Sequence, residues 1–151
     1  MAPVDVVDLR ELALTGPRID NAQLLNYVVP SFNSNRETAT DGADHVDGLN
    51  LRGLGTDQVL VLVNGKRRHS SALVNLFGRR GRSSSTTDLN TISVNALDRV
   101  EIRRGGAAAQ YGSDAIARVM SLALKSDNRG GNVLVDNGAF FCLKASCTFG
   151  R

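Results

Sequence analysis

The chain has 151 residues, 42% apolar and 22% charged, and a formal net charge of +3. That length and balance suit one ordinary domain with a buried core and exclude a disordered chain. So small a basic excess does not mark a nucleic-acid binder, and no apolar run approaches the roughly 18 residues of a membrane helix. With no Trp and only 5% aromatics, the core must be built from Val, Leu, Ile and Ala.

The N-terminal stretch MAPVDVVDLRELALTG carries acids early and has no basic segment ahead of an apolar one. It does not read as a signal peptide, so an exported parent is expected to have lost its leader. Residues 4–9, VDVVDL, predict a short strand, and RELALTG predicts a helical turn closed by Gly16. Asp20 is placed to cap a helix over 21–29, with Ala22, Leu25 and Val29 on one face and Pro30 as its stop. Residues 31–47 are polar and predict a long loop of the kind that carries function. GLNLRGLGTD follows as a brief strand with a glycine turn at Gly53 and Gly55.

Val59 to Val63 form an unbroken apolar run, which predicts a strand buried on both faces. Asn64-Gly65 then predicts a tight reversal, since both residues tolerate positive φ. A second long polar segment spans 66–88, followed by a turn at SVNAL, a strand over 98–104, a turn at AAAQYG and a strand over 117–125. The sum is a small α+β domain: a mixed four-stranded sheet with short helices and long polar loops. Residues 1–125 form this domain. Residues 126–151 read as a linker and a separate strand or hairpin, or a disordered tail.

Enzymatic signatures are weak. RGLGTDQ lacks the third glycine of a dinucleotide fingerprint, and GGAAAQYG lacks the Lys-Ser/Thr ending of a phosphate loop. Ser70, His69 and Asp88 contain the residue types of a hydrolase triad, but no G-x-S-x-G elbow accompanies them. Neither catalysis nor a cofactor is expected. Cys142 and Cys147 would lie about 16 Å apart on one extended strand and could pair only across a turn. Two ordinary thiols are the expected state, and C-x4-C without a nearby His is a poor zinc signal. GRRGRSSSTT puts Arg79, Arg80 and Arg82 on a Gly/Ser loop, where guanidinium groups grip carboxylate or phosphate in bidentate fashion; a solvated loop is the plain alternative.

LRGLGTDQVLVLVNGKR, followed by VNALDRVEIRRGGAAAQYGSDAIARVMSLALK, closely resembles the plug (cork) domain of TonB-dependent outer-membrane receptors. The resemblance covers about residues 4–125. It implies a domain filling the lumen of a β-barrel in the outer membrane of a Gram-negative bacterium and contributing loops to nutrient uptake. An iron chelate, a cobalamin or a glycan is the implied cargo. The stretches 33–46, 53–58 and 66–88 match the family's outward-facing loops. This makes Arg79, Arg80, Arg82, His69, Asp57 and Gln58 candidate contacts to a small anionic ligand.

Arg52 and Arg104 fall where family plugs present arginines to carboxylates of the barrel wall. Losing one partner of such a partly buried pair costs roughly 3–5 kcal/mol. The implied partners are a β-barrel of the same or another chain and a TonB-type energy-transducing protein, whose N-terminal contact box is not evident here. About 26 residues follow Lys125, against the some 220 that a wall of about 22 strands needs. A plug without its barrel is therefore expected. The alternatives are a stand-alone periplasmic adaptor and a basic nucleic-acid-binding protein, though nucleic acid is not the expected partner.

The sequence departs from the family at Ser93 and Gly106, where Pro is usual. It departs again at Arg118 and Ser121, which replace a Gly and an Asn. Arg in place of Gly in a close-packed strand predicts a clash unless that face opens to water.

Overall fold

The computed structural model describes residues 4–9, 20–34, 45–74, 83–103, 107–126, 131–137 and 143–149. Its centre is a mixed sheet of β1 (Val4–Asp8), β4 (Val59–Val63), β5 (Lys66–Arg67), β6 (Leu97–Arg103) and β7 (Arg118–Leu124), in the order β1-β6-β7-β4-β5. Four of these are full strands, as expected. The fifth, β5, is a two-residue extension of the β4 hairpin, too short to leave a periodic trace in sequence. β4 runs parallel to β7, and every other pairing is antiparallel.

Helix α1 (Asn21–Val28) forms where the sequence predicts it. The Asp20 carboxylate accepts from the Gln23 backbone N–H at 2.7 Å and satisfies a donor the first turn would otherwise leave open. Ala22, Leu25 and Val29 are buried as one face. Asn21, also buried, donates its amide to the carbonyls of Leu89 and Ile92 and so pins the helix start to a distant segment.

The polar stretch after Pro30 is less simple than a loop. Phe32–Ser34 form β2, which pairs antiparallel with β3 (Leu49–Leu51). Three residues carry too little periodicity to announce a strand, and only the pairing with a distant partner makes one. Similarly, the AAAQYG turn closes into the short helix α2 (Ala107–Tyr111). A hairpin of β8 (Gly131–Asn137) and β9 (Leu143–Phe149) stands as a separate two-stranded sheet. RELALTG, Gly106 and Cys142 lie outside the described residues, and with them the cysteine pairing.

The core lies between one sheet face and the layer made by α1, β2 and β3. Val59, Val61, Val100, Ile102, Met120 and Leu122 meet Leu24, Leu25, Phe32, Leu49 and Leu51 there. The other face is covered over Leu60, Leu62 and Val119 by Ala115, with Tyr111 packed against them. Alternate residues of β4 thus serve two clusters, which is why its sequence is continuously apolar. Asn64 and Gly65 turn the hairpin at φ 48° and 79°. Asn64 also accepts from the Leu124 N–H at 2.9 Å, stapling the turn to the end of β7.

Two departures from the family pattern find explanations. Ser93 has φ −66°, so the backbone keeps the angle a proline would impose. Arg118 is 3% exposed, and the predicted opening to water is not present. The side chain instead spans to the corner between α1 and β2, where Nη1 donates to Ser31 Oγ at 3.2 Å. The clash is avoided by reach rather than by solvent.

Val61, 1% exposed, is a direct measure of this packing. Val61→Ala is expected to lower stability by about 1–3 kcal/mol in urea unfolding, through lost methyl burial and the cavity left behind.

Candidate functional site

A polar cleft of about 470 Å3 opens at the end of the sheet where β4 and β7 begin. The 3-10 turn Thr56–Gln58 leads into β4, and the 3-10 turn Ser113–Ala115 precedes β7. The Gln58 carbonyl accepts from the Ala117 N–H at 3.0 Å, so the two strand starts are held side by side. Gly112, at φ 88°, makes the bend between α2 and the second turn, a conformation that side chains disfavour.

A third wall comes from the segment after the hairpin. Arg68 N–H bonds to the Val61 carbonyl at 2.9 Å and Ser71 N–H to that of Thr86 at 2.7 Å. An isolated antiparallel bridge then joins Val74 to Ser85. Part of this polar segment is buried rather than solvated: Ser84, Thr86 and Thr87 are each under 10% exposed, although Ser83 is exposed. Ser84 shares a 2.9 Å hydroxyl bond with Thr56, which keeps both groups satisfied away from water.

The charges of the cleft are unequally engaged. Arg67 donates to the Asp114 carboxylate at 2.6 Å and to the Tyr111 carbonyl. Tyr111 in turn lies under the Arg103 guanidinium, 5.8 Å from the ring centre, and its hydroxyl accepts from Arg103 at 3.3 Å. Arg68 donates to the neutral Thr91 hydroxyl at 3.2 Å, and no carboxylate pairs with it among the described residues. Asp57 curls back over Gly55, where an added Cβ would stand 2.4 Å from its Oδ1.

Of the residues singled out in the sequence, Asp57 and Gln58 line this cleft. His69 is exposed on the rim, between the lining residues Arg68 and Ser70. Arg79, Arg80, Arg82 and Arg104 lie outside the described residues. Arg52 is exposed on a tight turn at φ 57°, followed by Gly53 at φ 72°. Sequence reasoning missed Arg67, Arg68, Ser85, Thr87 and Asp114 as neighbours. The hydroxyl run SSSTT was a usable signal for part of that wall; nothing local paired Arg67 with Asp114, 47 residues on. Among the described residues no three His, Cys, Asp or Glu side chains gather as a metal site. No described helix is long and apolar enough to cross a membrane, which says nothing of a β-barrel.

The sequence matches the TonB-dependent receptor plug domain over residues 1–119, and the chain belongs to that family. The relatives it matches are named as ferric enterobactin and siderophore receptors and as vitamin B12 transporters. The chain is 29% identical over 122 residues to the ferric enterobactin receptor of Pseudomonas aeruginosa, covering 81% of this chain and 16% of that protein. It is 28% identical over 138 residues to the vitamin B12 transporter BtuB of Vibrio cholerae, covering 91% of this chain and 20% of that one. The solved Pseudomonas aeruginosa ferric enterobactin receptor PfeA superposes with a TM-score of 0.65 at 29% identity, over 89% of this chain and 20% of its own. The siderophore receptor PirA of Acinetobacter baumannii gives 0.59 at 28%, over 87% and 18%. The chain therefore spans about a fifth or less of these relatives, which are receptors and transporters rather than enzymes.

The Arg67–Asp114 pair is half exposed on both sides, at 52% and 57%. Arg67→Ala is expected to cost no more than about 1 kcal/mol in thermal or urea unfolding, as solvent-screened pairs do.

Proposed function

We propose that this domain occludes the lumen of an outer-membrane uptake receptor and that its cleft end meets the cargo, a siderophore-type iron chelate or a cobalamin. The observation that carries this reading is the family match joined to the polarity of the sheet. The stretches 53–58 and 66–88 converge on the cleft, where β4 and β7 begin. The Asn64-Gly65 turn and the end of β7, from which the chain leaves toward β8, lie at the opposite end. A stopper needs this division, with recognition at one end and covalent attachment at the other.

On this reading the domain has no catalytic role, and its partners are a barrel and an energy-transducing protein that pulls on the chain. Arg79, Arg80 and Arg82 are the proposed contacts to anionic parts of the cargo, together with Asp57, Gln58 and His69. Arg52 and Arg104 meet carboxylates of the barrel wall. The exposure of Arg52 on a rigid turn supports this, because a side chain held outward at fixed position is ready to pair without reordering the backbone. Residues 1–125 act as the plug and 126–151 as the passage into the first barrel strands. In support, the β8–β9 hairpin is a two-stranded sheet of its own, an arrangement marginal in water unless further strands are added.

The reading is tested by supplying this 151-residue chain to cells that carry a related receptor barrel lacking its plug. Docking should restore exclusion of a large antibiotic that leaks through the empty barrel. No docking and no restored barrier would overturn the lumen-plug reading. Arg52→Gln should weaken docking while leaving the isolated domain within about 0.5 kcal/mol of its original stability. Arg79→Ala with Arg80→Ala should likewise leave unfolding within about 0.5 kcal/mol but reduce cargo binding in the docked assembly.

A further inference from the structure

Resting on the reading that the cleft end meets the cargo, we propose that the cleft is a subsite for a hydroxy acid, a ligand presenting one carboxylate flanked by hydroxyl groups, with Arg68 as the anchor.

Three properties of the lining lead there. First, among the described lining residues a single guanidinium lacks a carboxylate partner. Arg67 is already committed to Asp114 and the Tyr111 carbonyl, whereas Arg68 uses one donor on the Thr91 hydroxyl. A guanidinium has five N–H donors in a planar fork that matches a carboxylate. Thr91 Oγ1 itself donates to the Asp88 carbonyl at 3.1 Å, so its lone pairs face Arg68 and hold the fork in place. Second, Ser70, Ser85, Thr87 and Ser113 set hydroxyls around the cleft. A hydroxyl both donates and accepts, and so pairs with ligand hydroxyls in either sense.

Third, among the described residues the lining has no aromatic side chain, and Ile116 is its one exposed large apolar group. Flat aromatic ligands gain their affinity from stacking and apolar burial, which this surface does not offer. A multiply charged anion is also disfavoured. Among the described lining residues, the carboxylates of Asp57 and Asp114 balance the two guanidiniums, leaving no net attraction from them beyond the local one at Arg68. The volume of about 470 Å3 accommodates a six-carbon acid with water to spare.

The test is an NMR titration of the 151-residue chain with gluconate, with sorbitol as the neutral polyol and inorganic phosphate as the compact anion. Gluconate should shift amides of 56–58, 68–70 and 85–87 and bind at least ten-fold tighter than either control. Arg68→Gln should bring gluconate down to the level of sorbitol. Thr91→Val, which keeps the anchor but frees it, should weaken gluconate several-fold, and it serves if the first variant does not fold. Equal binding of gluconate and sorbitol, phosphate as tight as gluconate, or a preference that survives both substitutions would overturn the hydroxy-acid subsite. Restored barrier function with a cleft indifferent to gluconate would overturn this inference alone and leave the lumen-plug reading standing.

Discussion

The parallel pairing of β4 with β7 is the constraint on which the rest of the structure depends. Val59 lies opposite Arg118 and Val63 opposite Leu122, so both strands begin at one end of the sheet and finish at the other. Parallel strands require a long crossover, here the whole segment from the Asn64-Gly65 turn through β6 and α2. That segment supplies the antiparallel strands β5 and β6, the α2 cover over Leu60 and Val119, and the cleft wall around Arg68. The pairing also sets the strand starts side by side, which creates the cleft.

Polar groups are buried in this domain in a patterned way. Asn21 holds α1 to the 89–92 segment, Thr56 and Ser84 share a hydroxyl bond beneath the cleft, and Arg118 reaches Ser31 behind it. Each joins parts of the chain that are distant in sequence. In a domain with few aromatics, such bonds do much of the work of specifying which segments meet, because aliphatic packing alone tolerates exchange among Val, Leu and Ile. The same bonds hold the cleft residues on rigid backbone.

The described part of the cleft is scaffolded. Arg67, Arg68, Asp57 and Asp114 sit on strand ends and 3-10 turns with defined hydrogen bonds. A fixed cleft with one guanidinium committed to a carboxylate and one held by a hydroxyl is suited to discriminate by geometry.

Several features of this protein were legible in its residues alone. The VLVLV run, the Asn64-Gly65 reversal, the Asp20 cap and the buried face Ala22, Leu25 and Val29 follow from local periodicity and turn chemistry, and motif order sufficed for the family. Tertiary structure alone decided that FNS becomes a strand, that AAAQY closes into a helix, that Ser84, Thr86 and Thr87 are buried, and that Arg118 reaches Ser31. It alone brought Arg67 to Asp114. The reason is physical: repetition along the chain encodes which face of a segment turns inward, but a three-residue strand or a buried hydroxyl draws its stability from a partner dozens of residues away. No local pattern records that partner, so only the folded chain reveals it.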